Sequence, residues 1–277
     1  LRVNVVHIRP KTNPHADGLR EVAETLFYAA SALGHNATLR QNDFDLHAVN
    51  IVVGWHLISP TVLHRTAANH RVVLYNLEQL TGSALVERFT ATSWSCRLWD
   101  YSSRNIEAVR GCDAKEAPLL VPLGHVPEMT RIRVDEPLID VLFYGSLNPR
   151  REAVLNELRA KGLEVAHLFG VYGQKRDDYL SHAKVVLNMH HYPDQIFEVV
   201  RCSYAWSNRI AVVSERNDPS DKTFDGYAHF APYDGLVDAC VHLVNDDSAR
   251  QQQATSGYES WTTHAMADYL KAALSTL

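Results

Sequence analysis

The residues of this chain that could do chemistry together gather between positions 139 and 215. An apolar run, Ile139-Asp140-Val141-Leu142-Phe143-Tyr144, breaks at Gly145-Ser146 and is followed by Asn148-Pro149-Arg150-Arg151. Lys184-Val185-Val186-Leu187-Asn188 comes next, then Ile196-Phe197-Glu198-Val199-Val200-Arg201, then a last apolar strand over residues 210–213. A glycine directly after a strand lets backbone N–H groups come close to a phosphate. Arg150 or Arg151, at the following helix start, can add a charge-assisted clamp. Strand, glycine turn, paired arginines and a carboxylate at a later helix start are the parts needed to hold a sugar nucleotide by its diphosphate.

Further residues join this set by position. Asn188 and His190 lie just past a strand end, where they either meet a ligand or hold the loop. Glu198 opens a helix, where the macrodipole favours a carboxylate whatever its task. Arg201, three positions on, shares its face and can pair with it or reach phosphate. Two residues of the first half are candidates for acid–base work. His15, in the loop Asn13-Pro14-His15-Ala16-Asp17-Gly18, titrates near neutrality and has Asp17 nearby to tune it. Glu78, in Tyr75-Asn76-Leu77-Glu78-Gln79, directly follows a strand. Asp100, in Trp99-Asp100-Tyr101-Ser102, reads mainly as a helix cap.

These residues need a scaffold, and the chain supplies alternating strands and helices. Residues 3–8 form a strand, 11–18 a loop, and 19–33 an amphipathic helix stopped by Gly34. Short apolar strands follow at 37–39, 50–54, 71–75 and 96–99, with a helix from about 102 to 110. Proline, glycine and charge without periodicity mark a linker around 128–138. The alternation then resumes, with strands at 139–144, 165–169, 185–188, 210–213 and 228–230. Helices fall at 150–161, 176–182, 197–206, 236–244 and 249–255, and residues 258–277 read as helical. Short strands alternating with helices predict parallel sheets covered on both faces. The expected organisation is two Rossmann-like, doubly wound α/β domains. The first spans residues 1–127 and the second 139–256, with a C-terminal helix over 257–277 returning across the hinge. Ligands would sit at the carboxyl ends of the strands, in a cleft between the domains.

Composition is that of an ordinary globular protein, 46% hydrophobic and 21% charged, which excludes disorder. No apolar run approaches the roughly 20 residues of a spanning helix, and residues 1–6 read as a strand, too short for a signal peptide. A net charge of −5 weighs against a nucleic-acid partner, which needs clustered cations. Cys96, Cys112, Cys202 and Cys240 are widely spaced and read as reduced thiols of a cytoplasmic protein. Fifteen histidines invite a metal, yet no HExxH or zinc-finger spacing occurs. Asp43-Phe44-Asp45 precedes a strand instead of following one, so no metal site is assigned there. No GxGxxG, Walker loop or GxSxG elbow is present.

With that layout, specific segments resemble the GT-B glycosyltransferases. Val121-Pro122-Leu123-Gly124-His125-Val126-Pro127 is similar to their interdomain hinge, and Asp140 to Ser146 with Arg150-Arg151 to the start of their donor domain. Leu187-Asn188 and Phe197-Glu198 resemble the family-one-like group related to the spore-maturation protein CgeB. The resemblance implies a metal-independent enzyme that moves a sugar from a nucleotide-diphosphate donor to an acceptor hydroxyl, in polysaccharide or other glycoconjugate synthesis. It requires no cofactor beyond the donor. It also implies that Glu198 meets a ribose or sugar hydroxyl and that Tyr172, between Gly170 and Gly173, borders the nucleobase with Arg176 close behind. His15 gains weight as a base, since inverting members often carry one in that loop. Many retaining members have two glutamates eight positions apart; here Glu198 plus eight is Trp206, so inverting and retaining outcomes both stay open. A nucleotide-sugar epimerase and a non-catalytic binding or scaffold protein of the same fold remain as alternatives. The donor base, the sugar, the acceptor and the oligomeric state are not legible.

Overall fold

The computed structural model describes residues 1–80, 82–191, 196–216 and 222–277. They form two compact units, Leu1–Glu128 with Ala265–Leu277, and Met129–His264.

Unit 1 is built on a six-stranded sheet of β1 (Arg2–His7), β2 (Asn36–Gln41), β3 (Val49–Val53), β4 (Arg71–Asn76), β5 (Arg97–Asp100) and β6 (Leu119–Leu120), in the order β2-β1-β3-β4-β5-β6. Every pairing is parallel. All five residues of β3 are buried, as a central parallel strand covered on both faces requires. The intervening helices are α1 (Arg20–Ala32), α2 (Pro60–Ala67), α3 (Ser83–Thr92) and α4 (Ser103–Ala108). One core cluster packs Val6, Val52, Leu63, Leu74 and Leu98 against Trp55 and Phe89. The expected loop over 11–18 is partly a 3-10 helix, Pro14–Leu19, because Pro14 suits a first helical position and Asn13 accepts the His15 N–H.

Unit 2 carries β7 (Ile139–Tyr144), β8 (Val165–Leu168), β9 (Ala183–Asn188), β10 (Ala211–Glu215) and β11 (His229–Ala231), in the order β11-β10-β9-β7-β8 and again parallel. Its helices are α5 (Pro149–Ala160), α6 (Gln174–Ser181), α7 (Val199–Ser207), α8 (Leu236–Asn245) and α9 (Asp247–Thr262). The core joins Val141, Phe143, Val185, Leu187 and Val213 to Leu155, Leu236 and Leu243. Residues 131 and 132 are docked here, their N–H groups each 2.8 Å from Asn208 Oδ1. The helix expected from 197 begins at Val199, because Phe197 instead joins an aromatic cluster with Trp206, Phe224 and Phe230.

The last segment is not one helix. A boundary at 257 falls inside α9, and a break at Thr263–Ala265 precedes α10 (Met266–Leu274), which packs on α1. The Met266 N–H donates to the His125 carbonyl at 2.9 Å, fixing that return to unit 1.

In unit 2 the chain passes from β7 to β8 on one side and then to β9 on the other, so strand order reverses between β7 and β9. In unit 1 the reversal lies between β1 and β3. Open parallel sheets bind ligands outside the carboxyl ends of such strand pairs.

Candidate functional site

The carboxyl ends of β7 and β9 in unit 2 hold most of the residues singled out from the sequence. Gly145 follows β7 with a φ of +146°, and its N–H donates to the Leu168 carbonyl at 3.0 Å. A Cβ at this position would lie 3.2 Å from Arg201 Nη2 and 3.7 Å from Arg151 Nη1. Glycine therefore leaves room for two guanidiniums from two helices to reach the same turn.

α5 is started by Asn148, whose Oδ1 accepts the Arg151 N–H at 2.9 Å, with Pro149 at its first position. Arg151 is 3% exposed. Its guanidinium donates to the Ser146 carbonyl at 2.8 Å and to the Met189 carbonyl at 2.6 Å. It thereby ties the β7 turn to the end of β9. Burial, and secondarily the neighbouring Arg201, lower its pKa to about 10, so it stays cationic at neutral pH. The Nε is buried and has no hydrogen-bond partner among the described residues. Around this arginine, Ser146 Oγ lies 3.4 Å from His191 Nδ1, and Asn148 Nδ2 donates to the His191 carbonyl at 2.6 Å.

Arg150, one residue earlier, does something different. It forms a two-point ion pair with Glu215 at the end of β10, one contact at 2.8 Å, and stacks 3.8 Å from the Tyr233 ring centroid. Glu215 is 3% exposed and also accepts the His190 N–H at 3.0 Å. The guanidiniums that converge on Gly145 are thus those of Arg151 and Arg201, while Arg150 balances a buried carboxylate.

Glu198 is the N-cap residue of α7, yet its side chain makes no capping hydrogen bond. Its carboxylate instead lies 2.9 Å from His190 Nδ1 and accepts from Asn188 Nδ2 at 3.0 Å. Burial opposes its ionisation, but His190, Arg201 and Asn188 outweigh that and hold its pKa below the ordinary value. Asn188, fully buried, also donates to Ser214 Oγ at 3.0 Å and accepts from Arg201 Nη1 at 2.7 Å. The cluster assembles three guanidiniums against two carboxylates, a surplus of positive charge suited to an anion.

Tyr172 lies in the β8–α6 loop, between Gly170 at φ +71° and Gly173 at φ +58°. Arg176 is 5% exposed, with its guanidinium 4.4 Å from the Tyr204 ring centroid and 2.8 Å from Asp177. It belongs to a network in which Tyr204 also meets Asp177 and Arg131.

In unit 1, His15 is exposed in the 3-10 turn, and Asp17 pairs with Arg9 at 2.7 Å. Glu78 sits beyond β4 on a rigid frame. Its N–H donates to Asn76 Oδ1 at 3.1 Å, and its carbonyl accepts from Asn76 Nδ2 at 2.9 Å and Asn105 Nδ2 at 2.8 Å. Both amides bond to Asp100, which is fully buried and accepts the Ser102 N–H. Burial pushes the Asp100 pKa up to about 7, against the opposing effect of those hydrogen bonds. Asp45 of the Asp-Phe-Asp run is spent on Arg2, Arg40 and the His47 N–H. Among the described residues no group of three or more His, Cys, Asp or Glu is placed to hold a metal. None of the described helices is long and apolar enough to cross a membrane.

The sequence reading missed Glu215, Ser214 and His191. Glu215 carries a legible signal, an acid at the end of an apolar strand. Its pairing with Arg150, 65 positions away, needs the β10–β9–β7 order.

This architecture is shared with solved glycosyltransferases. AviGT4, a glycosyltransferase involved in avilamycin A biosynthesis, aligns over 99% of this chain and 96% of its own with a TM-score of 0.60 and 14% identity. Anabaena Alr3699/HepE, in complex with UDP and glucose, aligns over 100% of both chains with a TM-score of 0.63 and 9% identity. The DNA-modifying enzyme β-glucosyltransferase, solved in the presence and absence of uridine diphosphoglucose, aligns over 98% of both with a TM-score of 0.63 and 11% identity. At such identities the likeness establishes the GT-B fold. In sequence the chain is similar to uncharacterized proteins of Acanthamoeba polyphaga mimivirus. It is 25% identical to L140 over 63% of this chain and 59% of that protein. It is 33% identical to L138 over 38% of this chain and 12% of that one. The chain thus spans less than two thirds of either relative. With R358 it shares 27% identity over 76% of this chain and 72% of the relative. No protein-family model matches.

Proposed function

We propose that this chain is a GT-B glycosyltransferase that moves a sugar from a nucleotide-diphosphate donor to an acceptor hydroxyl, with unit 2 as the donor-binding half. The observation that carries the reading is the convergence of Arg151 and Arg201 on Gly145, at the strand pair where the order of the sheet reverses. A donor diphosphate bears about two negative charges and gains more as the sugar leaves, so cations fixed in advance lower that barrier. Arg201 and the Ser146 amide are assigned to the diphosphate, with the buried Arg151 adding its positive charge through the turn that it holds. Arg150 and Glu215 brace the floor beneath it.

Glu198 stays ionised and acceptor-only, which suits a ribose or sugar hydroxyl. It lies in Phe197-Glu198, which with Leu187-Asn188 resembles the CgeB-related group in sequence. Tyr172 is assigned to the border of the base. Uridine is the first base to test, because two of the fold neighbours were solved with UDP or a UDP-sugar. The arginines supply the neutralising charge, so the reaction is proposed to need no metal. A glycan or other glycoconjugate is the proposed acceptor, in the cytoplasm. Unit 1 supplies the base, for which His15 and Glu78 are the sequence candidates.

A thermal-shift panel of UDP, GDP, CDP, ADP and dTDP with representative nucleotide sugars, each with Mn2+ or with EDTA, tests this. A ligand at 100 times its Kd stabilises the native state by about 2.7 kcal/mol. Stabilisation by one nucleoside diphosphate and its sugars, unchanged by EDTA, is expected. No shift from any of them would remove the donor site from this account.

A further inference from the structure

Unit 1 has its own strand-order reversal between β1 and β3, and the residue presented there was not among the sequence candidates. β3 ends at Val53, and Gly54 turns the chain at φ +86°, with the space of a Cβ closed by the Ile8 carbonyl at 3.3 Å. The turn sends Trp55 into the core, where its Nε1 donates to Asn76 Oδ1 at 3.0 Å and its ring packs 5.3 Å from Phe89. His56 follows, edge-on to that indole, its ring only partly buried. Its Nδ1 lies 3.5 Å from Glu78 Oε1.

We infer that His56 is the proton acceptor of unit 1, with Glu78 as its positioning residue; this rests on the glycosyl-transfer reading above. Glu78 is held from beneath at both its backbone N–H and its carbonyl by Asn76 and Asn105, themselves bonded to Asp100. With the Glu78 backbone fixed in this way, its carboxylate meets the imidazole on the Nδ1 side and leaves Nε2 for substrate. The charged groups facing His56 are Glu78 and Arg88. Burial, the largest influence, lowers the His56 pKa; Glu78 opposes this and Arg88 reinforces it. The ring is therefore neutral at pH 7, as a base must be.

In the step this implies, the acceptor O–H bond breaks and its proton passes to His56 Nε2 as the acceptor oxygen bonds to the anomeric carbon. The bond from that carbon to the diphosphate oxygen breaks, and its electron pair departs with the nucleoside diphosphate. A single displacement of this kind inverts the anomeric centre.

The test uses UDP-glucose with water as acceptor, following UDP release from the whole chain between pH 5 and 9. His56 is titrated in parallel by NMR, its signal assigned by its absence from His56→Gln. His56→Gln is expected to lower turnover on the order of 100-fold or more, without changing the thermal stabilisation by UDP-glucose. Glu78→Gln is expected to cost about tenfold and to move both the acidic limb of the rate profile and the His56 titration to lower pH. Equal release by wild type and His56→Gln, at any level, would overturn the assignment, as would an acidic limb that does not follow the His56 titration. Failure of UDP-glucose to stabilise wild type would instead count against the donor reading.

Discussion

Arg201 Nη2 lies 3.2 Å from the point at which a side chain on residue 145 would begin, so the glycine and the guanidinium define one another's space. Gly145→Ala should displace Arg201 and oppose the positive φ as well. UDP affinity is expected to fall by tenfold or more. Arg201→Gln, which keeps an amide for Asn188 but removes the charge, should weaken UDP to a similar degree while leaving the melting temperature of the free protein within a few degrees. Calorimetric titration of both variants checks this.

Arg150 is expected to matter for the fold more than for the ligand. Arg150→Ala leaves Glu215, 3% exposed, as an unpaired buried charge. Breaking such a pair typically costs about 3–5 kcal/mol. The paired substitution Arg150→Met with Glu215→Leu should recover much of that loss. Urea unfolding of the three variants measures it; an Arg150→Ala protein as stable as wild type would contradict the pairing.

Asp100 predicts a pH dependence of stability. Its folded pKa of about 7 lies above the unfolded value near 4. Between those values the folded state binds more protons than the unfolded one, so this group's contribution to stability falls as pH rises. The penalty is absent below about pH 4 and complete above pH 7. Wild type should lose stability of order a few kcal/mol from this group between pH 5 and pH 8. Asp100→Asn should show a shallower decline. Urea unfolding at both pH values compares them; equal slopes would contradict the assignment.

Gly257, inside α9, packs against the aromatic cluster of unit 2. A Cβ there would meet the Tyr227 carbonyl at 2.6 Å and Trp206 at 3.2 Å. Gly257→Ala should therefore destabilise by about 1–3 kcal/mol, even though alanine favours helix by roughly 1 kcal/mol. Thermal unfolding is the readout, and a raised midpoint would contradict the close approach.

Much of the fold was legible because apolar strands and amphipathic helices alternate with little ambiguity. Val49–Val53 and Ile139–Tyr144 are strands on composition alone. What the sequence hides is the order of strands across each sheet, and that order decides which loop residues meet. Asn188, His190, Glu198 and Arg201 were found by their position after strand ends or at a helix start. Glu215 was not, because its partner comes from a different strand–helix unit. The two paired arginines read alike in sequence, yet helix periodicity turns Arg151 towards β7 and β9 and Arg150 towards Tyr233 and Glu215. His56 was not singled out, because Trp55-His56 lies beyond the strand read at 50–54 and carries no motif. Only the buried indole beside it shows that the histidine is presented on a fixed support.

The central claim is that unit 2 grips a nucleotide through its diphosphate. Isothermal titration of UDP, UMP and uridine into wild type and Arg201→Gln, in EDTA, addresses it most directly. The account predicts that wild type binds UDP at least tenfold more tightly than UMP, with uridine weaker still, and that Arg201→Gln erases most of the gain from the second phosphate. Equal affinity for UDP and uridine, or an Arg201→Gln protein that binds UDP as well as wild type, would contradict it.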